Sequence, residues 1–380
     1  MTTASLEVAD IFRLHWLEYC QQHGESVTPL QHRIASAIMN CRTEALGGHV
    51  LQCTHCGYRE QRYNSCRNRH CPKCQGHKAA EWVEERKDEL LPVQYFHAVF
   101  TLPHELNELV LMNKKLIYEI LFKAVAQTLS QIGQRNLKCQ LGFFTVLHTW
   151  GQTLTLHPHL HVVIPGCGLS LDGQNLVRFK KRYFVPQKIL SLVFQGKFIA
   201  LLKKAYRSRK LIGEFDDFEA FLNRVVRSAW VVHIKPPFAG PLVVLKYLSR
   251  YVQRIALSNR RLVSLDHGTV SFTYRDYRLD AQPKVLHLNA LEFIRRFLLH
   301  TLPHHFVRVR YYGFLTRSLK EAALAKLRCY LAAPLPKEKT ATIPHTNLCP
   351  RCKRQTLVII CEIPRLLASF HAPAPPCIST

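Results

Sequence analysis

His157-Pro158-His159-Leu160-His161-Val162-Val163-Ile164 is the stretch whose reading decides the fold. Side chains alternate along a β-strand, so residues 157, 159 and 161 share one face while Leu160 and Val162 share the other. The apolar face belongs against a core. Three imidazoles on the opposite face pack poorly, but they make a cradle for a metal ion, since neutral imidazole is the commonest protein metal ligand. The residues alone leave two readings open: a metal centre, or a polar sheet surface in a chain that holds 21 histidines.

Composition narrows the function. The chain has 380 residues, long enough for two or three domains, and 47% of them are apolar, as in a folded protein. Against 26 acidic residues stand 52 Lys and Arg, a net charge of +26 with a pI near 9.7. Such an excess calls for a polyanionic partner. The cations are spread through apolar, foldable segments rather than gathered in one tail, which favours nucleic acid over a membrane surface. No apolar run is long enough to span a membrane. The first residues show neither a basic nor an apolar region of a signal peptide. The 14 cysteines therefore point to zinc in a reducing cytoplasm rather than to disulfides.

Two CxxC pairs, Cys53–Cys56 and Cys71–Cys74, have the spacing of a four-thiolate structural zinc site. The expectation is one Zn²⁺ on Cys53, Cys56, Cys71 and Cys74, with Cys66, His70 and His77 as spare ligands. Arg59, Arg62, Arg67, Arg69, Lys73 and Lys78 surround them and suit phosphate. A third pair, Cys349–Cys352, reads as half a site, with Cys361 or His345 as candidates to complete it.

Along the chain, residues 1–45 read as helical, with Thr28-Pro29 as a helix start. A helix is expected over 77–91, a strand over 95–101, one long amphipathic helix over 106–134, a strand over 141–150, then the histidine strand. Asp172-Gly173 marks a hairpin. Helices and strands in this order predict an α+β fold with a helix-covered, largely antiparallel sheet. Strands are expected near 262–265, 270–274 and 284–288 and a helix over 290–300. Residues beyond about 332 read as Pro-rich and irregular.

Two further stretches carry chemistry. From Arg178 to Lys210 the chain holds many Lys and Arg and no acid, with aromatics interleaved, a composition suited to single-stranded nucleic acid. Lys180, Lys181 and Arg182 are its densest cluster. For Phe194 and Phe198, four residues apart, a core position is the better reading. Further on, a predicted helix over 241–257 puts Tyr247 and Tyr251 on one face. Lys246, Arg250 and Arg254 form a neighbouring stripe. Two phenols beside a row of cations are placed to meet a phosphate backbone, and nearby cations favour the phenolate nucleophile. Taken in isolation, two tyrosines are as well explained by packing.

In combination these motifs resemble the HUH single-strand endonucleases, which pair a histidine-hydrophobic-histidine strand with a two-tyrosine helix. The wider pattern resembles the IS91 family of rolling-circle insertion-sequence transposases. The matching stretches are Cys53–Cys56, Ser65–Cys74, Tyr95–Pro103, Leu147–Trp150, the histidine strand, Tyr247–Asn259 and Glu292–Leu298. The resemblance covers roughly residues 25–330, and the C-terminal tail matches poorly. It implies a helical, Cys-rich zinc-binding and DNA-binding domain over 1–92, an HUH nuclease domain with a central antiparallel sheet and flanking helices over 93–330, and an irregular tail over 331–380. It implies Mg²⁺ or Mn²⁺ on His159 and His161, and Tyr247 or Tyr251 attacking single-stranded DNA to leave a 5′-phosphotyrosine. Imidazole ligands suit Mn²⁺ better than Mg²⁺. For the third ligand, three alternate residues of one strand span roughly 13 Å and do not easily reach one ion. His148, on the preceding strand and spaced from His159 as in three-histidine relaxases, is favoured over His157.

A relaxase or replication initiator would share this chemistry, and a non-catalytic zinc-finger regulator would share the cysteines and the charge. The zinc region favours a transposase over the former. The pairing of histidine strand with tyrosine helix favours an enzyme over the latter. The expected partner is single-stranded DNA at transposon ends and target, with no membrane, in the bacterial cytoplasm at the nucleoid. The sequence leaves the oligomeric state open.

Overall fold

The computed structural model describes residues 5–74, 82–84, 86–179, 184–235, 243, 256–276, 280–333 and 348–366. The chain divides into two compact units. One combines Met1–Gln75 with Glu338–Thr380, and the other is Gly76–Lys337.

The first unit begins with two helices, Val8–His23 and Pro29–Met39. Thr28 caps the second helix as its sequence predicts. Its hydroxyl accepts from the Gln31 N–H at 3.3 Å, and the Gln31 side chain accepts from the Thr28 N–H at 2.8 Å. The helices pack through Ile11, Phe12, Ile34 and Ile38, all buried. A three-stranded antiparallel sheet follows, in the order Leu357–Ile363, Gly48–Cys53, Arg59–Tyr63. This corrects the expectation of an irregular C-terminal tail. Residues 357–363 form a strand, and that strand completes the sheet of the N-terminal unit.

The second unit is built on a five-stranded antiparallel sheet in the order Val309–Gly313, Gly142–Trp150, Leu156–Pro165, Tyr95–Thr101, Val231–Lys235. One face of the sheet carries Phe96, Ala98, Phe100, Phe143, Leu147, Leu160, Val162 and Val232, all buried in the main core. The helices Lys114–Arg135 and Gln187–Arg207 cover that face, burying Ile117, Leu121, Val125, Phe194 and Phe198. The expected long helix over 106–134 is interrupted at Asn113, which ends one short helix, Asn107–Met112, and precedes the next. The buried Asn113 side chain bonds instead to the backbone of Ile212, through both its N–H and its C=O at 2.7 Å. A tertiary partner here overrides helical continuity. At the sheet edge, Arg310 holds Glu119 of the long helix with two bonds of 2.7 Å. Its guanidinium also lies 4.0 Å from the ring centre of Phe122.

Smaller sheets complete the unit. Leu262–Asp266, Thr269–Asp276 and Gln282–Asn289 form an antiparallel meander, followed by the helix Ala290–Leu299. Cys139–Gln140, Cys167–Ser170 and Leu176–Arg178 form another, whose hairpin turns at Gly173 with φ +71°. The architecture is α+β, with antiparallel sheets and helices packed against them. The expected helix over 77–91 lies partly outside the described residues, as does nearly all of that over 241–257.

Candidate functional site

The histidines gather on the sheet face opposite the main core. Antiparallel register sets His148 directly across from His159, and Val146 across from His161. Directly paired residues share a face with their Cβ atoms about 5 Å apart. His148 therefore stands beside His159 and diagonal to His161. One ligand nitrogen from each of His148, His159 and His161 lies within 4.8 Å of the others. The Nε2 atoms of His159 and His161 are 3.2 Å apart. Two nitrogens on one ion, each at ~2.1 Å, are separated by about 3 Å, so this pair fits shared coordination. His157 is not among the three. It is exposed, and its carbonyl sits 2.6 Å from His159 Nδ1, which leaves His159 Nε2 as the outward nitrogen.

A fourth histidine supports the cluster from the neighbouring strand. His97 Nε2 lies 2.9 Å from His161 Nδ1, with the rings stacked 5.1 Å apart. Burial drives the His97 pKa down to about 3 and holds that of His161 well below its ordinary value. Both imidazoles are therefore neutral, the form that ligates metal. Trp150 stacks on His148 at 4.6 Å. The histidines open into a cavity of about 300 Å³ that is also lined by Thr101, Lys235 and Arg261. The Arg261 guanidinium is fixed by the carbonyls of Gln152 at 2.6 Å and Thr273 at 2.7 Å. Two cations beside a three-imidazole cradle make a pocket matched to phosphate. Sequence reasoning assigned no role to His97, Lys235 or Arg261. The alternation of His97 with Val99 and Thr101 on a strand was the available signal.

The cysteines gather differently from the expected single site. Cys53, Cys56, Cys71 and Cys74 fall into two groups, each completed by other cysteines. Cys71 and Cys74 join Cys41 and Cys66, with Cys74 Sγ 3.6 Å from both Cys41 Sγ and Cys66 Sγ. Cys53 and Cys56 join Cys349 and Cys352. A CxxC pair supplies two of the four corners of a tetrahedron and does not say which chain segment supplies the rest. Cys41 lies just beyond the helix Pro29–Met39 in no CxxC pair, so spacing could not reveal it. Cys361 is exposed on its strand and belongs to neither group. In the first group, bonds from Cys66 and Cys71 pull the Cys41 thiol down to about 2, and the bond to Cys41 pushes that of Cys66 up to about 12. Cys41 and Cys66 thus compete for one negative charge, a conflict that a thiophilic dication bound by both removes. The donor set fits structural zinc.

The expected DNA contacts are only partly described. Lys180, Lys181, Arg182, Lys246, Arg250 and Arg254 lie outside the described residues, as do Tyr247 and Tyr251. Phe179, Phe184, Phe194 and Phe198 of the basic stretch are buried and pack on Phe96, Phe100 and Trp230. These four rings are core, not a platform for bases. Near the cysteines, Lys73 pairs with Glu7 at 2.5 Å and Arg62 pairs with Glu60, so part of that positive charge is already neutralised.

Family models match both the cysteine-rich region and the region of the histidine strand. A family model described as "Transposase zinc-binding domain" matches residues 11–102, and one described as "Putative transposase" matches residues 142–322. The chain is 44% identical over 383 residues to "Putative transposase y4qJ" of Sinorhizobium fredii, covering 95% of this chain and 96% of that protein. It is 25% identical over 342 residues to the transposase for insertion sequence element IS801 of Pseudomonas savastanoi pv. phaseolicola, covering 85% and 80%. A solved conjugative relaxase, TrwC in complex with oriT DNA, aligns with 65% of this chain and 95% of its own at a TM-score of 0.25 and 13% identity, too slight a likeness to argue from. Among the described residues, no helix is long and apolar enough to cross a membrane. The likeness to y4qJ runs nearly end to end and both family models fall within it: the chain belongs to the IS91 family of transposases.

Proposed function

We propose that this transposase nicks and rejoins single-stranded DNA through a metal-dependent 5′-phosphotyrosine intermediate, in rolling-circle transposition of its insertion sequence. The observation that carries the reading is the convergence of His148, His159 and His161 on one sheet face, in a cavity with Lys235 and Arg261. The three imidazoles would hold Mn²⁺ or Mg²⁺, with nitrogen donors favouring Mn²⁺. When bound, the ion supplies Lewis-acid polarisation of the scissile phosphate.

The rest falls to side chains. Lys235 and Arg261 bind the phosphate oxygens and offset their charge. Tyr247 or Tyr251 supplies the nucleophile. Its phenolic oxygen bonds to phosphorus as the P–O3′ bond breaks. The phenolic proton leaves, and the 3′-oxygen gains one to become a 3′-OH. The phosphotyrosine keeps the energy of the phosphodiester, so attack by a 3′-OH reseals the strand without ATP. The second tyrosine serves the next strand while the first is occupied. Lys246, Arg250 and Arg254, with Lys180, Lys181 and Arg182, meet the DNA backbone at transposon ends and target. The protein acts in the bacterial cytoplasm at the nucleoid.

Incubation with end-labelled single-stranded DNA and Mn²⁺, followed by a denaturing gel, tests this. The 3′-labelled product should stay attached to protein and the 5′-labelled product should be released. The double variant Tyr247→Phe, Tyr251→Phe keeps the rings and loses the nucleophiles. If that variant still forms the adduct, the reading fails.

A further inference from the structure

We infer that this transposase carries a second structural zinc, held by Cys53, Cys56, Cys349 and Cys352, which clasps the C-terminal segment into the N-terminal zinc-binding unit. The match to the transposase zinc-binding domain ends at residue 102, far short of Cys349. The first cysteine group alone would satisfy that domain.

The geometry is that of a built site. Cys53 Sγ lies 3.6 Å from Cys352 Sγ, and Cys56 Sγ lies 3.6 Å from Cys349 Sγ. Two thiolates on one tetrahedral zinc, each at ~2.3 Å, stand about 3.8 Å apart. Sulfurs in a disulfide stand ~2.05 Å apart. Cys53 and Cys349 are buried with Leu51 and Leu357 in a small apolar cluster of their own.

The two pairs also repeat one loop. The Cys53 N–H donates to the Tyr58 carbonyl and the Cys349 N–H donates to the Arg354 carbonyl, both at 2.8 Å. The Cys53 carbonyl accepts from the Gly57 N–H at 3.0 Å, and the Cys349 carbonyl accepts from the Lys353 N–H at 2.9 Å. Gly57 and Lys353, at matching positions, have φ of +71° and +57°. Glycine takes that conformation freely, whereas a lysine rarely adopts it. The same loop shape thus recurs 296 residues after its counterpart by the numbering Cys53 to Cys349. Such loops turn both cysteines of a pair inward, and two loops facing each other supply four thiolates.

Sheet pairing then brings the loops together. Leu357–Ile363 runs antiparallel to Gly48–Cys53, with Cys53 opposite Leu357 and Gly48 opposite Ile363. The Thr54 N–H donates to the Thr356 carbonyl at 2.9 Å, and the Thr356 hydroxyl lies 2.9 Å from Cys53 Sγ, where it can donate to a thiolate. One strand pair and one metal would thus close the chain's two ends on each other. The loop they close is long, and cross-links of that kind stabilise most in the chain-entropy account.

Elemental analysis of the full-length chain tests the inference. About two zinc ions per chain are expected. Cys349→Ser with Cys352→Ser should retain about one, and Cys66→Ser with Cys71→Ser should also retain about one. One zinc in the unsubstituted chain overturns the inference, as does an unchanged content in the Cys349/Cys352 variant. Should that variant prove insoluble, cadmium-113 NMR of the cadmium-loaded unsubstituted chain decides. Two resonances in the four-thiolate range support the second site, and one overturns it.

Discussion

His97 Nε2 stands 2.9 Å from His161 Nδ1, across two neighbouring strands and in a buried setting. That contact decides which nitrogen of His161 faces the cavity. If His161 ligates through Nε2, its proton sits on Nδ1 and is donated to His97, which must then be neutral. Burial keeps it so, with its pKa near 3. Outer-shell partners of ligating histidines orient the ring and raise its basicity. His97→Ala should therefore raise the Mn²⁺ concentration for half-maximal nicking by ~10–100-fold, with zinc content and fold unchanged. His97→Gln, which keeps a hydrogen-bonding group near that position, should recover part of the loss. An unchanged Mn²⁺ requirement in His97→Ala would remove the positioning role.

The third ligand has a direct comparison. His148→Ala should weaken metal-dependent nicking by more than the ~10–100-fold of an outer-shell partner, because it removes a donor outright. His157→Ala should have little effect, since His157 is exposed and lies outside the group of three. Nicking measured against Mn²⁺ concentration for both variants separates them, and the reverse order would exchange their roles.

Cys41 belongs to no CxxC pair but sits 3.6 Å from Cys74. Cys41→Ser should lower zinc content by about one ion per chain and loosen the helices Val8–His23 and Pro29–Met39. The apparent free energy of a structural zinc is ~10–16 kcal/mol, comparable with the stability of a whole domain. Elemental analysis with circular dichroism reads both effects. Full zinc content in Cys41→Ser would return the site to another ligand set.

His300 shows what a core histidine looks like here. Its Nδ1 lies 3.2 Å from the Thr149 hydroxyl and its Nε2 3.1 Å from the Leu154 carbonyl, so the neutral ring is satisfied at both nitrogens. Burial drives its pKa down to about 3. The unfolded chain, with a histidine pKa of ~6.5, binds the proton that the folded chain refuses. This group leaves stability untouched above pH ~6.5 and costs the folded state ~1.4 kcal/mol per unit as pH falls from there toward 3. Chemical denaturation across that window should give a shallower pH slope for His300→Gln than for the unsubstituted chain. Equal slopes would assign the acid sensitivity to other groups.

The histidine strand was legible because period-two alternation is a local property. Leu160 and Val162 are buried on one face while His159 and His161 face the cavity, as their alternation requires. The Thr28-Pro29 helix start was legible for the same reason, since capping joins residues three apart. Aromatic burial in the basic stretch was legible only in part. The four-residue spacing marked Phe194 and Phe198 as core, but nothing local marked Phe179 and Phe184. The break at Asn113 was hidden, because its partner, Ile212, lies almost one hundred residues away.

The sequence by itself determined the ligand types, the α+β class, the antiparallel histidine strand and the nucleic-acid charge. Each of these depends on residue identity or on neighbours a few positions apart. Only the tertiary structure decided which cysteine meets which, that His97 backs His161, and that residues 357–363 complete an N-terminal sheet. A thiolate or imidazole needs partners in space at a few ångströms. Chain spacing specifies two ligands of such a site, and the fold alone brings up the others.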